Sequence, residues 1–369
     1  MIGYGVRSSG LNKDLLNNFF LKKRIPYVTT WNSADLFATK NKYNLGIIGM
    51  SGQRGANKAM FNSDLIVCVG SHLSIPHTTT LYQNYAKQAK KIIINIDEDQ
   101  LKNLNVKFDI KIKEDAKKFF EKILTKIDIK LESPLIKFKS LNWYYPKSQK
   151  KPNSNVFIRK ITEELDANSA IIIDGGGTAL YSGFQSSVLK KNARMICSSA
   201  ISSMGTGLAE TIGSFASRKF KELICIIGDG SLLMNCQDLQ SISQYKINVK
   251  IILVNNNGYL AIRHTQKEFL NKRYYGTLPP KDISFPSFKD LAKAFKIKYH
   301  LIKSTSEIQK VINLSNKLKI PQIIELMVDE NQETLFKQGY KKNQNATFSP
   351  MSLEEMYPFS DKPISNTNN

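Results

Sequence analysis

Cysteine is scarce in this sequence. The four present, Cys68, Cys197, Cys225 and Cys236, form no C-x-x-C pair, which removes the usual zinc and redox-motif spacings. Cys68, Cys197 and Cys225 sit in apolar, strand-like runs, where a free thiol serves as a small hydrophobe. That usage fits a reducing cytosol and leads to the expectation of a cytoplasmic protein. Four histidines, His72, His77, His264 and His300, show no metal-ligand spacing with cysteines or acids. No apolar run reaches the about 18 residues of a membrane span, and the N-terminus has no signal-peptide layout. Acid is short as well, with 31 Asp plus Glu against 53 Lys plus Arg, a net charge of +22. Such an excess suits nucleic acid where the cations form a stripe interleaved with aromatics, and here the lysines are spread through nearly every segment. The charge reads as a solvated basic surface, with no nucleic-acid or membrane partner, that helps to attract anionic substrates.

What is present is a globular chain. It has 369 residues, 41% hydrophobic and 10% aromatic, enough for two ordinary domains. Apolar runs such as Asp64–Gly70 and Lys90–Asp97 are continuous rather than alternating, as buried parallel strands are. They alternate with helical stretches such as Leu11–Lys22 and Lys113–Thr125. The expected first domain is therefore a doubly wound, mainly parallel α/β sheet over residues 1–128, beginning with only Met1 and Ile2 of its first strand. Gly3, Gly5 and Gly10 do not fit G-x-G-x-x-G and read as a tight turn. Gly49–Arg54, Gly70–His72 and Asp97–Asp99 are candidate lining at strand ends, each of which alone reads as a structural turn. Residues 129–154 are aromatic-rich and aperiodic, an inter-domain linker. A second α/β domain over 155–340 follows, with strands at Ser169–Asp174, Arg194–Ser198 and Pro321–Val328. Residues 341–369 form a polar tail that reads equally as a flap or a loose end.

The chemistry concentrates in the second domain. An apolar strand from Glu222 runs into Gly228-Asp229-Gly230-Ser231, and a second, from Val249, ends on Asn255-Asn256-Asn257-Gly258. Side by side, these strand ends offer a carboxylate, amide oxygens and a glycine-lined turn. Such a set suits Mg²⁺ carrying a diphosphate, since Mg²⁺ takes few protein oxygens plus phosphate oxygens. The glycines let the backbone approach the phosphates.

Gly228-Asp229-Gly230-Ser231 followed at this spacing by Asn255-Asn256 resembles the signature of the thiamine diphosphate-dependent enzymes, in the acetolactate synthase and pyruvate decarboxylase branch. The resemblance covers nearly the whole chain: 1–127 looks like the Rossmann-like central domain, 155–340 like the diphosphate-binding domain, and Ser352–Phe359 like the tail of acetolactate synthase-like members. It implies Mg²⁺ held by Asp229, by the Asn256 side chain and by the Gly258 carbonyl. It implies cofactor contacts from Gly228, Gly230 and Ser231 at the diphosphate, from backbone near Ser202 at the aminopyrimidine, and from Met204 propping the cofactor bent. Taken without the resemblance, Met204 reads as ordinary core. The implied activity is decarboxylation of a 2-oxo acid, the cofactor acting as electron sink, followed by protonation or carbon–carbon bond formation.

The chain also departs from that pattern. A pyrimidine-binding domain, with the glutamate that activates the aminopyrimidine, is not found in it, so no catalytic residue is identifiable here. The chain alone is expected to be inactive or nearly so, as a truncated, split or mis-started gene, and to need an oligomeric partner carrying that domain. The alternative is a remnant or regulatory subunit that binds cofactor without turnover. Ile262 stands where pyruvate decarboxylases place an acid, which leans towards carboligation. Thr265 and Gln266 stand where acetolactate synthases carry a tryptophan, which leaves the second substrate open. Family central domains hold FAD, ADP or nothing, and residues 1–127 do not decide among these.

Overall fold

The computed structural model describes residues 1–143, 150–198, 201–345 and 347–359. Its contacts divide the chain into two units, Met1–Tyr145 with Leu335–Asn369, and Pro146–Thr334. Among the described residues no helix is long and apolar enough to cross a membrane.

In the first unit β1 (Tyr27–Thr29) and β2 (Asn44–Ile47) pair in parallel. So do β3 (Leu65–Val69), β4 (Lys90–Asn95) and β5 (Ile110–Lys113), in that order. One residue joins the two groups. Ile2 bridges Thr29 on one side and Val69 on the other, both in parallel. Its N–H donates to Val28 O at 2.9 Å, and that of Gly3 to Val69 O at 2.8 Å. With Ile2 as the first strand, the spatial order is that of a doubly wound Rossmann sheet. The turn after it is closed by packing: a Cβ on Gly3 would overlap Gly70 O, and one on Gly5 would stand 2.8 Å from Gly70 Cα. Gly3→Ala should therefore destabilise this unit by about 1–3 kcal/mol, the usual cost of overpacking. A denaturation midpoint equal to that of the unaltered chain would contradict it.

In the second unit β6 (Ser169–Ile173), β7 (Arg194–Ile196), β8 (Glu222–Gly228), β9 (Val249–Asn255), β10 (Lys298–Ile302) and β11 (Gln322–Met327) form one parallel sheet. Its order is β10-β11-β9-β8-β6-β7. Ile171–Ile173, Ile224–Ile227 and Ile251–Val254 are fully buried. Helices cover both faces of such a sheet, which is why these strands read as unbroken apolar runs. Cys225 is part of this core, and burial pushes its thiol pKa up. Lys250 is a charged residue inside this core, buried on β9 and ion-paired with Glu222 on β8. The chain passes from β6 out to β7, then to β8 on the other side of β6. That reversal is a topological switch point, and the crevice beyond the carboxyl ends of the strands there is where ligands bind in such sheets.

Residues 335–359 return to the first unit. β12 (Tyr340–Lys342) and β13 (Phe348–Pro350) form an antiparallel hairpin. Arg54, 2% exposed, donates to Met356 O at 3.1 Å and to Pro358 O, with its guanidinium 5.4 Å from the Phe336 ring. Pro134–Asn142, inside the stretch expected to be a linker, is a 3₁₀ helix tied to the same unit: Asn142 Nδ2 donates to Leu45 O at 2.7 Å, and its Oδ1 accepts from Ala56 N at 3.2 Å. The aromatic Tyr144 and Tyr145 of that stretch, and the tail beyond Phe359, lie outside the described residues.

Candidate functional site

β8 ends on Gly228 and turns directly into the helix Asp229–Met234. Asp229 is 2% exposed. Its Oδ1 accepts the Gly230 amide at 2.8 Å, and its Oδ2 accepts the Gly258 amide at 3.0 Å. The end of β8 is thereby tied to the turn after β9. Burial raises the Asp229 pKa to about 6, against the opposing pull of the Gly258, Gly230 and Asn256 amides and the Arg263 charge. A carboxylate desolvated to this degree favours a cation at its open lone pairs.

The three asparagines that close β9 do three different things. Asn255 secures the sheet, donating from Nδ2 to Glu325 Oε1 at 2.6 Å while its Oδ1 accepts from Asn257 N at 2.9 Å. Asn257 sits at φ 54 and donates from Nδ2 to Glu330 Oε1 at 3.1 Å. Asn256 is 5% exposed and donates from Nδ2 to Thr178 Oγ1 at 3.3 Å, yet its Oδ1 is buried without a hydrogen-bond partner. Buried polar oxygens are nearly always satisfied, so this one, on the turn that meets Asp229, marks a place for an acceptor-seeking group.

Arg263 lies beneath this turn. It is 4% exposed on the helix Leu260–Phe269. Nη1 donates to Asn257 O at 3.1 Å and Thr277 O at 2.9 Å, and Nη2 to Asn256 O and Glu330 O, both at 2.8 Å. Nothing in the sequence singles it out. Gln266, one turn on, is fully engaged: Nε2 donates to Tyr275 O at 2.9 Å, and Oε1 accepts from Thr277 Oγ1 at 2.9 Å. Ile262 and Thr265 on the same helix are exposed.

The opposite wall of the crevice is the turn after β6. A Cβ on Gly176 would stand 2.8 Å from Met204 Cγ, so the half-buried Met204 side chain lies across this turn. A Cβ on Gly175 would overlap the backbone of Ser202 and Ser203. Ser202 itself has φ 57, with its N–H on Ser198 O at 2.8 Å. Asp174 ties the Met204 loop to this wall: its Oδ1 accepts the Gly207 amide at 2.9 Å, and its Oδ2 is buried without a hydrogen-bond partner. Burial raises its pKa, against the pull of the Gly207 amide and of the neighbouring Ser231, Gly205 and Thr206 groups. Beyond Gly177 there is open space where a Cβ would be, and the helix Gly177–Ser186 starts there with no side-chain cap. Such an end receives phosphate oxygens readily. The structure thus brings Asp229, Asn256, Gly258, Gly228, Gly230 and Ser231 to one crevice, with Ser202 and Met204 on its far wall. To them it adds Asp174, Thr178, Arg263 and the glycine turn, of which only the run Gly175-Gly176-Gly177 after a buried strand is a sequence signal.

Mg²⁺ fits this donor set: one buried carboxylate and one unpartnered amide oxygen, all hard oxygen ligands. No cluster of three or more His, Cys, Asp or Glu exists among the described residues, and a metal that shares its ligands with a diphosphate needs none. At the corresponding place in the first unit a cavity of about 240 Å³ is lined by residues that include Gly5, Gly70, His72, Asp97, Glu114 and Asp115. Asp97 and Asp115 there cap their own helices and Glu114 pairs with Lys122, so none of the three carboxylates is committed to a ligand.

Two family models match the chain: "Thiamine pyrophosphate enzyme, central domain" over residues 1–123, and "Thiamine pyrophosphate enzyme, C-terminal TPP binding domain" over residues 175–326. The acetolactate synthase large subunit of Pyropia yezoensis is 28% identical over 322 residues, 84% of this chain and 53% of its own length. The probable acetolactate synthase large subunit of Methanococcus aeolicus is 27% identical over 355 residues, 89% and 57%. The acetolactate synthase large subunit of Lactococcus lactis is 27% identical over 349 residues, 90% and 58%. The chain spans about half the length of these relatives.

Proposed function

The chain belongs to the thiamine pyrophosphate enzymes, as their central and C-terminal cofactor-binding domains, and from that premise we propose that it binds thiamine diphosphate with Mg²⁺ for 2-oxo acid decarboxylation and carboligation of the acetolactate synthase type. The observation that carries the metal reading is the buried, unpartnered Asn256 Oδ1 on the turn whose Gly258 amide meets Asp229. Asp229, Asn256 and the Gly258 carbonyl would hold the Mg²⁺. Gly230 and the uncapped helix start at Gly177 would receive the diphosphate, and Met204 with the backbone of Ser202 would support the far end of the cofactor.

When bound, thiamine diphosphate supplies the electron sink that lets carbon dioxide leave a 2-oxo acid. The chain's own residues bind and orient. Asp229 keeps a negative charge out of water for the metal, and Asp174 holds the Met204 loop against the glycine turn. Ile262 presents no titratable group where a proton would otherwise be delivered, which favours attack on a second carbonyl. Thr265 is exposed on the same helix and Gln266 is occupied by the Tyr275 carbonyl and the Thr277 hydroxyl, so acceptor choice falls to Ile262 and Thr265. The reading requires a group that activates the pyrimidine ring, which a pyrimidine-binding domain would supply.

The test is carbon dioxide release from pyruvate with thiamine diphosphate and Mg²⁺. The chain alone should give almost none, and addition of a separately expressed pyrimidine-binding domain from an acetolactate synthase-like enzyme should restore it. Release by the chain alone would overturn the claim that activation comes from outside. No release in either case, with cofactor bound, would favour a subunit that binds without turnover.

A further inference from the structure

We propose that Arg263 is the positioning residue of the metal-binding turn: its guanidinium holds Asn256–Gly258 in the conformation that presents this turn to Asp229. The proposal rests on the reading of Asp229 and Asn256 as Mg²⁺ ligands. Buried arginines are normally matched by a carboxylate. Among the described residues Arg263 has no carboxylate within ion-pair distance, Asp229 and Glu330 acting on its charge only from farther off, and its hydrogen bonds go to four main-chain carbonyls, those of Asn256, Asn257, Thr277 and Glu330. Two of the four belong to the turn itself. The other two belong to segments that pass behind it.

The turn needs such support. Asn257 at φ 54 and Gly258 at φ 131 lie in the left-handed region, and a non-glycine residue stays there only where its surroundings over-determine it. The approach is close: a Cβ on Gly258 would stand 2.5 Å from Arg263 Nη1. Asp229 grips the front of the turn through the Gly258 amide, and Arg263 grips the back. A planar fork with five N–H groups can reach carbonyls on three segments at once. Lysine, with three donors on one nitrogen, cannot. Groups that orient metal ligands in this way typically change metal affinity by about 10- to 100-fold when removed.

The experiment uses the full chain with thiamine diphosphate and Mn²⁺ as the probe, free Mn²⁺ being read by electron paramagnetic resonance. Arg263→Ala, folded by circular dichroism, should bind Mn²⁺ at least about tenfold more weakly. Arg263→Lys should be weakened too, because it keeps the charge and loses the fork. Millimolar guanidinium should restore much of the affinity of Arg263→Ala, a response that a purely structural defect would not give. Wild-type Mn²⁺ affinity in folded Arg263→Ala overturns the proposal. If Arg263→Ala does not fold, Arg263→Lys decides on the same scale, and loss of the fold in both assigns Arg263 to the core and overturns it. Asp229→Ala separates the two readings. If it binds Mn²⁺ normally, or if the wild-type chain binds none, the metal reading itself fails and the proposal falls with it.

Discussion

Asp229→Ala should abolish the rise in melting temperature that Mg²⁺ and thiamine diphosphate together give the unaltered chain. A ligand that binds only the native state, at a hundredfold excess over its Kd, adds about 2.7 kcal/mol. For a unit of this size that is a shift of roughly 5–10 °C. Asp229 is the only carboxylate among the proposed ligands, and the Asn256 oxygen and Gly258 carbonyl left behind carry no net charge to offset desolvation of a divalent cation. The variant should therefore melt at the same temperature with and without ligands, and equal shifts in both proteins would remove the site from Asp229. The pH dependence has a definite sign. The Asp229 pKa is about 6 in the metal-free fold and ordinary in the unfolded chain, so the fold holds that proton more tightly. Its contribution to metal-free stability is full below the ordinary carboxylate range and is lost as pH rises through about 6. Metal binding runs the other way, since it takes the carboxylate. The ligand-dependent shift should therefore shrink as pH falls below about 6.

The second large effect lies in the core. Lys250→Met alone should destabilise the second unit by about 3–5 kcal/mol, the cost of leaving a buried charge unpaired. Lys250 Nζ is ion-paired with Glu222 Oε1, and Glu222 Oε2 accepts the Asp166 amide at 3.2 Å. Both side chains are buried between β8 and β9. Adding Glu222→Gln should recover most of the loss, because the amide keeps an oxygen for Asp166 N and carries no charge. Urea midpoints of the two single variants and the double variant measure this. A double variant no more stable than Lys250→Met would show that the deficit is one of packing rather than charge.

Much of the second unit is legible in the sequence because its central strands are buried on both faces and so spell unbroken apolar runs. Asp229 and Asn256 are legible because their chemistry sits in contiguous motifs at two such strand ends. What is hidden depends on residues far along the chain. Arg263 looks like one more cation on a basic helix, and its burial is decided by carbonyls 14 and 67 positions on, at Thr277 and Glu330. The Gly175–Gly177 turn is visible as a glycine run, but its partner in space, Met204, is not. Asn44–Ile47 escapes detection as a strand because it is four residues long with a glycine at positive φ. Lys298–Ile302 is the half-polar edge of its sheet and alternates too little to stand out. The tail reads as irregular because its order comes from Arg54 on another element.

Every neighbouring pair in the second sheet is parallel, so each is joined by a crossover and none by a local hairpin. Pairings of that kind form late and slowly, since a long loop must close before any contact is made. The crevice between the ends of β8 and β9 does not exist until those closures are complete. A metal ion cannot then template the early chain. Bound at the proposed site, it would retain the finished fold, and its weight would fall on the rate at which the unit comes apart rather than the rate at which it forms.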